Sequence, residues 1–231
     1  MAVTAHGFEI PVDVEVAGPV VVRFAPPLAA GSVPRPFVFL DKDGTLIEDL
    51  PYNVDPRRVR FAPGAREAVR MLGDAGLPLV VCSNQSGVAR GYYTIDELRR
   101  LARHLHDEVA RLGGELAALY ACPHLPTGIN AWALVCDCRK PAAAMLTLAA
   151  EDLGADLPGS WMIGDTWMDV AAGRAAGCRA ILVGPEWRTA ASLPASRRPT
   201  DAVPDLLSAA RIVVAGLATP AAESPEAVAA R

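Results

Sequence analysis

No stretch of the sequence approaches the ~20 consecutive apolar residues that a helix needs to cross a bilayer. The N-terminus lacks a basic segment followed by an apolar run and a small-residue cleavage site, and Arg23 interrupts the one candidate, Pro19 to Phe24. A cytoplasmic chain without a membrane partner is therefore expected. Excess basic charge is missing as well. The formal net charge is −4, which argues against a broad nucleic-acid surface while leaving room for a local basic pocket. The five cysteines, Cys82, Cys122, Cys136, Cys138 and Cys178, are odd in number, so no disulfide framework is expected.

What is present suits a globular enzyme. Hydrophobic residues make up 52% and charged residues 21% of 231, enough for one domain with a sizeable core. Residues 1–35 stand apart, with Pro11, Pro19, Pro26, Pro27 and Pro34 and alternating valines from Val12 to Val16. Glu9 to Phe24 can be drawn as a hairpin turning at Gly18. The reading preferred is an N-terminal extension, packed on the domain or partly mobile, that carries no chemistry. The domain itself is expected over 36–216. Residues 217–231, rich in Ala, Pro and Glu, are expected to form a disordered tail.

From Phe37 onward, short apolar runs alternate with helical patterns. Strands are predicted at Phe37–Leu40, Leu77–Cys82, Leu116–Ala121, Ser160–Ile163 and Ala180–Val183. Helices are predicted at Gly64–Leu72, Thr94–Gly113, Pro141–Leu153, Asp165–Ala176 and Asp205–Val214. In the second of these, Thr94 and Glu97 have the spacing of a capping box, and Leu98, Leu101, Leu105, Val109 and Leu112 form one apolar stripe. Such alternation implies an α/β fold, a doubly wound parallel sheet with ligands beyond the carboxyl ends of its strands.

Four polar segments fall at those ends. Asp41-Lys42-Asp43-Gly44-Thr45 puts two carboxylates two residues apart directly after a buried strand. One can attack phosphorus and the other can protonate the leaving oxygen and later activate water. An EF-hand calcium loop would need more oxygen ligands at set spacing and flanking helices, which are missing. Ser83-Asn84-Gln85-Ser86-Gly87 offers a hydroxyl and backbone N–H groups to phosphate oxygens, though a plain polar loop reads the same way. Cys138-Arg139-Lys140-Pro141 puts cations at a predicted helix start, where a solvated basic pair is the simpler alternative. In Gly164-Asp165-Thr166-Trp167-Met168-Asp169, Asp165 can complete an oxygen shell for magnesium or merely cap a helix, and Asp169 lies one turn on.

In this order the four segments resemble the haloacid dehalogenase (HAD) superfamily of phosphatases, over about residues 36–190. The resemblance implies Asp41 as nucleophile and Asp43 as general acid and base, with Ser83 and Lys140 on the transferring phosphoryl group. It implies magnesium held by Asp41, Asp165 and the backbone carbonyl of Asp43, with Asp169 behind that shell.

Cys122-Pro123-His124 and Cys136-Asp137-Cys138 provide three thiolates and one imidazole in two pairs around an 11-residue gap. That is a complete donor set for a closed structural zinc site, with no position left for water. Because Cys138 directly precedes Arg139 and Lys140, zinc is expected to pin the loop that presents these cations. With Ser83 through Tyr92 and Cys136 through Pro141, the cluster resembles the D-glycero-D-manno-heptose 1,7-bisphosphate 7-phosphatases and the phosphatase domain of histidinol-phosphate phosphatase. This implies a nearly capless domain whose pocket is lined by Asp49 to Tyr52, Ser83, Asn84, Gln85, Ser86, Arg139 and Lys140. Two positions depart from the family's habit: Thr166 stands where many members have lysine, and Leu50 where many have histidine.

The expected activity is magnesium-dependent hydrolysis of a small phosphorylated metabolite by a monomer, heptose 1,7-bisphosphate first and histidinol phosphate second. A nucleic-acid-end phosphatase would want a basic groove. A non-catalytic phosphate-binding protein would be expected to lose Asp41, Asp43 or Asp165, and all three are present. His104 and His106 are read as surface residues, and Cys82 and Cys178 as core.

Overall fold

The computed structural model describes residues 4–5, 8–9, 17–26 and 31–217. Its main sheet has seven strands in the order β3-β6-β5-β4-β7-β8-β9. These are β3 (Val20–Arg23), β4 (Val38–Leu40), β5 (Leu79–Asn84), β6 (Leu116–Cys122), β7 (Trp161–Gly164), β8 (Arg179–Leu182) and β9 (Asp201–Ala202). Separately, β1 (Thr4–Ala5) pairs antiparallel with β2 (Phe8–Glu9). Within the main sheet every pairing is parallel except that of β3 with β6.

The helices α1 (Ala65–Asp74), α2 (Ile95–Arg111), α3 (Ala144–Leu153), α4 (Trp167–Ala175) and α5 (Leu206–Leu217) cover both faces. Side chains alternate across a strand, so each strand feeds two cores. Val38 and Leu40 join α1, α2 and α5 on one face, while Phe39 joins α3 on the other. The α2 cap forms as its spacing predicts: the Thr94 N–H donates to Glu97 Oε2 at 2.8 Å, and the Glu97 N–H donates to Thr94 Oγ1 at 3.2 Å. Among the described residues, no helix is long and apolar enough to cross a membrane.

Two local expectations need correction. First, the sheet is not wholly parallel, and it takes an edge strand from inside the stretch read as an extension. Val20–Arg23 pairs with Ala118–Ala121, and Arg23 holds Asp152 at 2.9 Å while the Tyr120 hydroxyl holds the same carboxylate at 2.7 Å. That pairing satisfies the backbone edge that β6 would otherwise expose. The remainder of the proposed hairpin, residues 10–16, and the tail beyond Leu217 lie outside the described residues. Second, the helix expected from Pro141 begins at Ala144. Asn84 takes the Lys140 N–H on Oδ1 at 3.0 Å and donates from Nδ2 to the Lys140 carbonyl at 3.1 Å, which ties the Lys140 backbone to the end of β5 instead of to a helical turn. The Lys140–Pro141 peptide is cis. Of the two readings of Asp165, magnesium ligand or helix cap, the cap position falls to Thr166, in a capping box with Asp169.

The chain order places the site. From β4 it winds one way to β5 and β6, then returns to β7 beside β4 and winds outward to β8 and β9. The carboxyl ends of β4 and β7 thus flank the switch point where ligands bind in such sheets. The segments leaving these ends, 41–64, 85–94 and 123–143, contain no inserted domain.

Packing of α4 on the sheet is close. A Cβ at Gly173 would lie 2.5 Å from the Met162 Cβ. Gly173→Ala must push α4 away from β7, and urea unfolding is expected to show a loss of about 1–3 kcal/mol. An unchanged midpoint would mean that α4 slides without cost.

Candidate active site

At the end of β4, the Asp41 N–H donates to the Ile163 carbonyl at 2.9 Å, fixing the first acidic residue beside β7. The carboxylates of Asp41, Asp165 and Asp169 lie within 4.8 Å of one another. Glycines permit that crowding. A Cβ at Gly44 (φ +79°) would sit 2.3 Å from Asp165 Oδ2, and one at Gly164 would sit 2.2 Å from the Asp169 Cγ. Between these acids stands Lys140, whose Nζ donates to Asp41 Oδ1 at 2.6 Å and to Asp169 Oδ1. The other Asp169 oxygen takes the Thr166 N–H and hydroxyl at 3.0 and 2.6 Å.

The charges do not balance. Three carboxylates face one ammonium, and two negative charges are left over when all are ionised. Burial pushes the Asp41 carboxyl up to about 6, against the pull of Lys140. Burial, then the charges of Asp41 and Asp169, push Asp165 up to about 7. Burial alone would lower Lys140, but Asp169 and Asp41 more than reverse it and hold the amine protonated. Asp165 Oδ1 is buried with no hydrogen-bond partner. An orphaned carboxylate oxygen among crowded acids is a donor set for a hard divalent cation, which Asp41 and Asp165 can hold.

Across the cleft, both Asp43 oxygens are engaged. Lys42 Nζ reaches Oδ1 at 2.7 Å and Gln85 Nε2 reaches Oδ2 at 3.1 Å. Gln85 Nε2 also donates to Ser83 Oγ at 2.8 Å, and Gln85 Oε1 accepts from the Tyr93 hydroxyl at 2.6 Å. Because Ser83 Oγ accepts from Gln85, its own proton is free to be offered toward the cleft.

The resulting cleft, of about 330 Å³, gathers most of the residues picked out in the sequence: Asp41, Asp43, Asp49, Tyr52, Ser83, Asn84, Gln85, Ser86, Lys140, Asp165 and Asp169. Arg139 is not among them. Its Nη1 donates to the His124 carbonyl at 3.3 Å, and it lines a neighbouring depression with Trp167. Asn84 and Gln85 do line the cleft, but their amides are spent on Lys140, Asp43, Ser83 and Tyr93. Sequence reasoning missed Lys42, Tyr93 and Met168 in the lining. For Lys42 a signal existed: of 22 basic residues, the only lysines are Lys42 and Lys140. Tyr93 precedes the helix cap Thr94, where a sequence reads as a hydrophobic staple.

Beside the cleft, the second cluster assembles as its spacing suggests. Cys122 Sγ lies 3.5 Å from Cys136 Sγ and 3.6 Å from His124 Nδ1. Cys138 Sγ lies 3.4 Å from Cys136 Sγ and 3.2 Å from His124 Nδ1. These sulfurs are too far apart to be disulfides, and their separations approach the edges of a tetrahedron whose centre is ~2.3 Å from each thiolate. Hydrogen bonding from Cys138 pulls the Cys122 thiol well below its usual value, the direction that favours a thiolate ligand. Three sulfurs and one imidazole nitrogen fit a zinc ion. Cys82 and Cys178 are buried apart from this group.

The carboxylate crowding has a pH signature. Between their ordinary value of 3.8 and about 6 or 7, folded Asp41 and Asp165 keep protons that the unfolded chain has released. Their contribution to the metal-free fold therefore becomes unfavourable as pH rises through that window. A divalent cation takes the ionised forms, so the Tm gain given by magnesium should grow between pH of about 5.5 and 7.5, with proton release on binding. An equal gain at both ends, measured by thermal melts, would remove the crowding from the account.

A family model described as HAD-hydrolase-like matches residues 137–209. The D-glycero-beta-D-manno-heptose-1,7-bisphosphate 7-phosphatase of Pasteurella multocida is 39% identical over 139 residues, 60% of this chain and 76% of that protein. The corresponding Thermosynechococcus vestitus protein is 42% identical over 156 residues, 65% and 80% of the two chains. Among solved structures, the D,D-heptose 1,7-bisphosphate phosphatase of B. bronchiseptica, complexed with magnesium and phosphate, superposes with a TM-score of 0.67 at 31% identity, covering 78% of this chain and 98% of that one. With the acid cluster, the buried lysine and relatives matched over most of their length, this chain is a phosphatase that belongs to the HAD-like D-glycero-D-manno-heptose-1,7-bisphosphate 7-phosphatase family.

Proposed function

We propose that the protein removes the 7-phosphate of D-glycero-D-manno-heptose 1,7-bisphosphate through an aspartyl-phosphate on Asp41. The observation that carries this reading is the convergence of Asp41, Asp43, Asp165 and Lys140 on one cleft at the switch point of the sheet. The substrate follows from the relatives, which are named for that sugar bisphosphate. Every group invoked comes from one chain, so a monomer suffices.

Lys140 holds Asp41 Oδ1, which leaves Oδ2 to attack phosphorus. Lys140 and the Ser83 hydroxyl take the equatorial oxygens, lowering the repulsion between an anionic nucleophile and an anionic phosphate. Asp43 gives a proton to the leaving sugar oxygen, then removes one from the water that releases Asp41. Magnesium, held by Asp41, Asp165 and the Asp43 carbonyl with Asp169 behind them, supplies further charge neutralisation when bound. With the Asn84 and Gln85 amides occupied, recognition of the sugar falls to Asp49, Tyr52 and Ser86 at the mouth of the cleft.

Zinc held by Cys122, His124, Cys136 and Cys138 is structural on this reading. It would tie both ends of the 123–143 segment two residues before Lys140. Removing zinc from a folded sample that keeps magnesium should lower kcat/KM about 10-fold or more, and full activity without zinc would sever that link.

The decisive assay compares kcat/KM for phosphate release from heptose 1,7-bisphosphate and histidinol phosphate with magnesium present. Preference for the heptose is the expected result, and preference for histidinol phosphate would reassign the substrate. Asp41→Asn should cut turnover by about 10³-fold or more while substrate still binds. Near-normal turnover in that variant would overturn the mechanism.

A further inference from the structure

Beside the cleft lies a second depression, of about 310 Å³, that the mechanism above does not use. Leu134, Val135, Pro141, Trp167 and Met168 form most of its wall, and no hydroxyl, amide or carboxylate side chain borders it. Its two cations are engaged elsewhere. Lys140 Nζ is turned to Asp41 and Asp169, and the Arg139 guanidinium donates to the His124 carbonyl at 3.3 Å. A polyol such as a heptose would find few partners for its hydroxyl groups on such walls.

The apolar wall is held in place. Trp167 opens α4, and the Arg197 Cζ lies over its ring, 4.0 Å from the centroid, so a cation braces one face of the indole. Leu134 and Val135 come from the 123–143 segment, and Val135 is 84% exposed. Lys140 and Met168 border both spaces, so the depression continues the cleft. A flat ring stacked on Trp167 would cover this apolar surface and lose no hydrogen bond in doing so.

We propose that this depression is a leaving-group subsite for an aromatic ring, through which the phosphatase also hydrolyses arylalkyl phosphate monoesters. The phosphoryl group sits in the cleft, and a short tether across Met168 brings the ring to Trp167. This rests on the reading of Asp41 as nucleophile and is independent of the heptose. Asp41 attacks phosphorus, the bond from phosphorus to the alcohol oxygen breaks, and the alcohol leaves with a proton from Asp43. Water then frees Asp41, so one monoester and one water become one alcohol and one inorganic phosphate.

The test compares kcat/KM for 2-phenylethyl phosphate and ethyl phosphate with magnesium present. The two leaving alcohols are alike in acidity and differ in the ring. The ring should raise kcat/KM about 10-fold or more. Trp167→Ala and Val135→Asp should each shrink that gain to less than about 3-fold while ethyl phosphate stays within about 2-fold of the unaltered chain. Val135 is a surface residue, so its variant keeps the test sound should Trp167→Ala fail to fold. Equal kcat/KM for the two esters in the unaltered chain, a ring gain that survives both substitutions, or equal losses on both esters overturns the proposal. Asp41→Asn separates the two levels. Turnover of 2-phenylethyl phosphate that persists there removes the nucleophile and the proposal with it, whereas Asp41-dependent turnover without a ring gain removes the subsite alone.

Discussion

One ammonium group inside a cluster of buried carboxylates is the constraint on which the site depends. Lys140 is 3% exposed and bridges Asp41 and Asp169. A buried lysine is tolerable only when paired, and paired carboxylates this close are tolerable only with a cation between them. The acids come from two neighbouring strand ends, whereas the lysine comes from a connection after β6 that belongs to neither. Its backbone must therefore be held to the sheet, and Asn84 at the end of β5 holds it with two hydrogen bonds, to the N–H and the carbonyl of Lys140. The cysteine–histidine cluster gathers two parts of the same connection just before Lys140.

The neighbouring residues divide into those that meet the ligand and those that keep others aligned. Asn84, Gln85, Thr166 and Tyr93 belong to the second kind. Thr166 shows how a departure from a family's habit can be absorbed. A lysine there would add charge near the cleft, whereas threonine closes the capping box on Asp169 and fixes the partner of Lys140.

Much of this was legible in the sequence. Asp41, Asp43, Ser83 and Asp165 each lie at the end of a buried apolar run, and in an α/β sheet the ends of such runs converge; Lys140 instead comes from the long connection after β6. The cysteine pairs carry their own spacing. Arg139 was expected in the cleft beside Lys140, but adjacent residues in a chain need not point the same way: Lys140 borders both the cleft and the neighbouring depression, and Arg139 borders the depression, with its guanidinium on the His124 carbonyl. Pro141 suggested a helix start because nothing in local sequence reveals that Asn84, more than fifty positions earlier, claims the Lys140 carbonyl. The edge strand β3 was hidden for a related reason: Val20–Arg23 is short, and its partner lies almost a hundred residues away. Long-range hydrogen bonds decide such details, and periodicity does not record them.

The rarity of lysine has a consequence for the protein's chemical surface. Both ε-amines are buried in the one cleft, at 1% and 3% exposure, and the remaining basic side chains are guanidinium groups. The exposed cations among the described residues are thus guanidinium groups, charged without being nucleophilic. Acylating reagents, aldehydes and amine-directed cross-linkers find few targets among them, and any side-chain amine they do modify is one that holds Asp41 or Asp43.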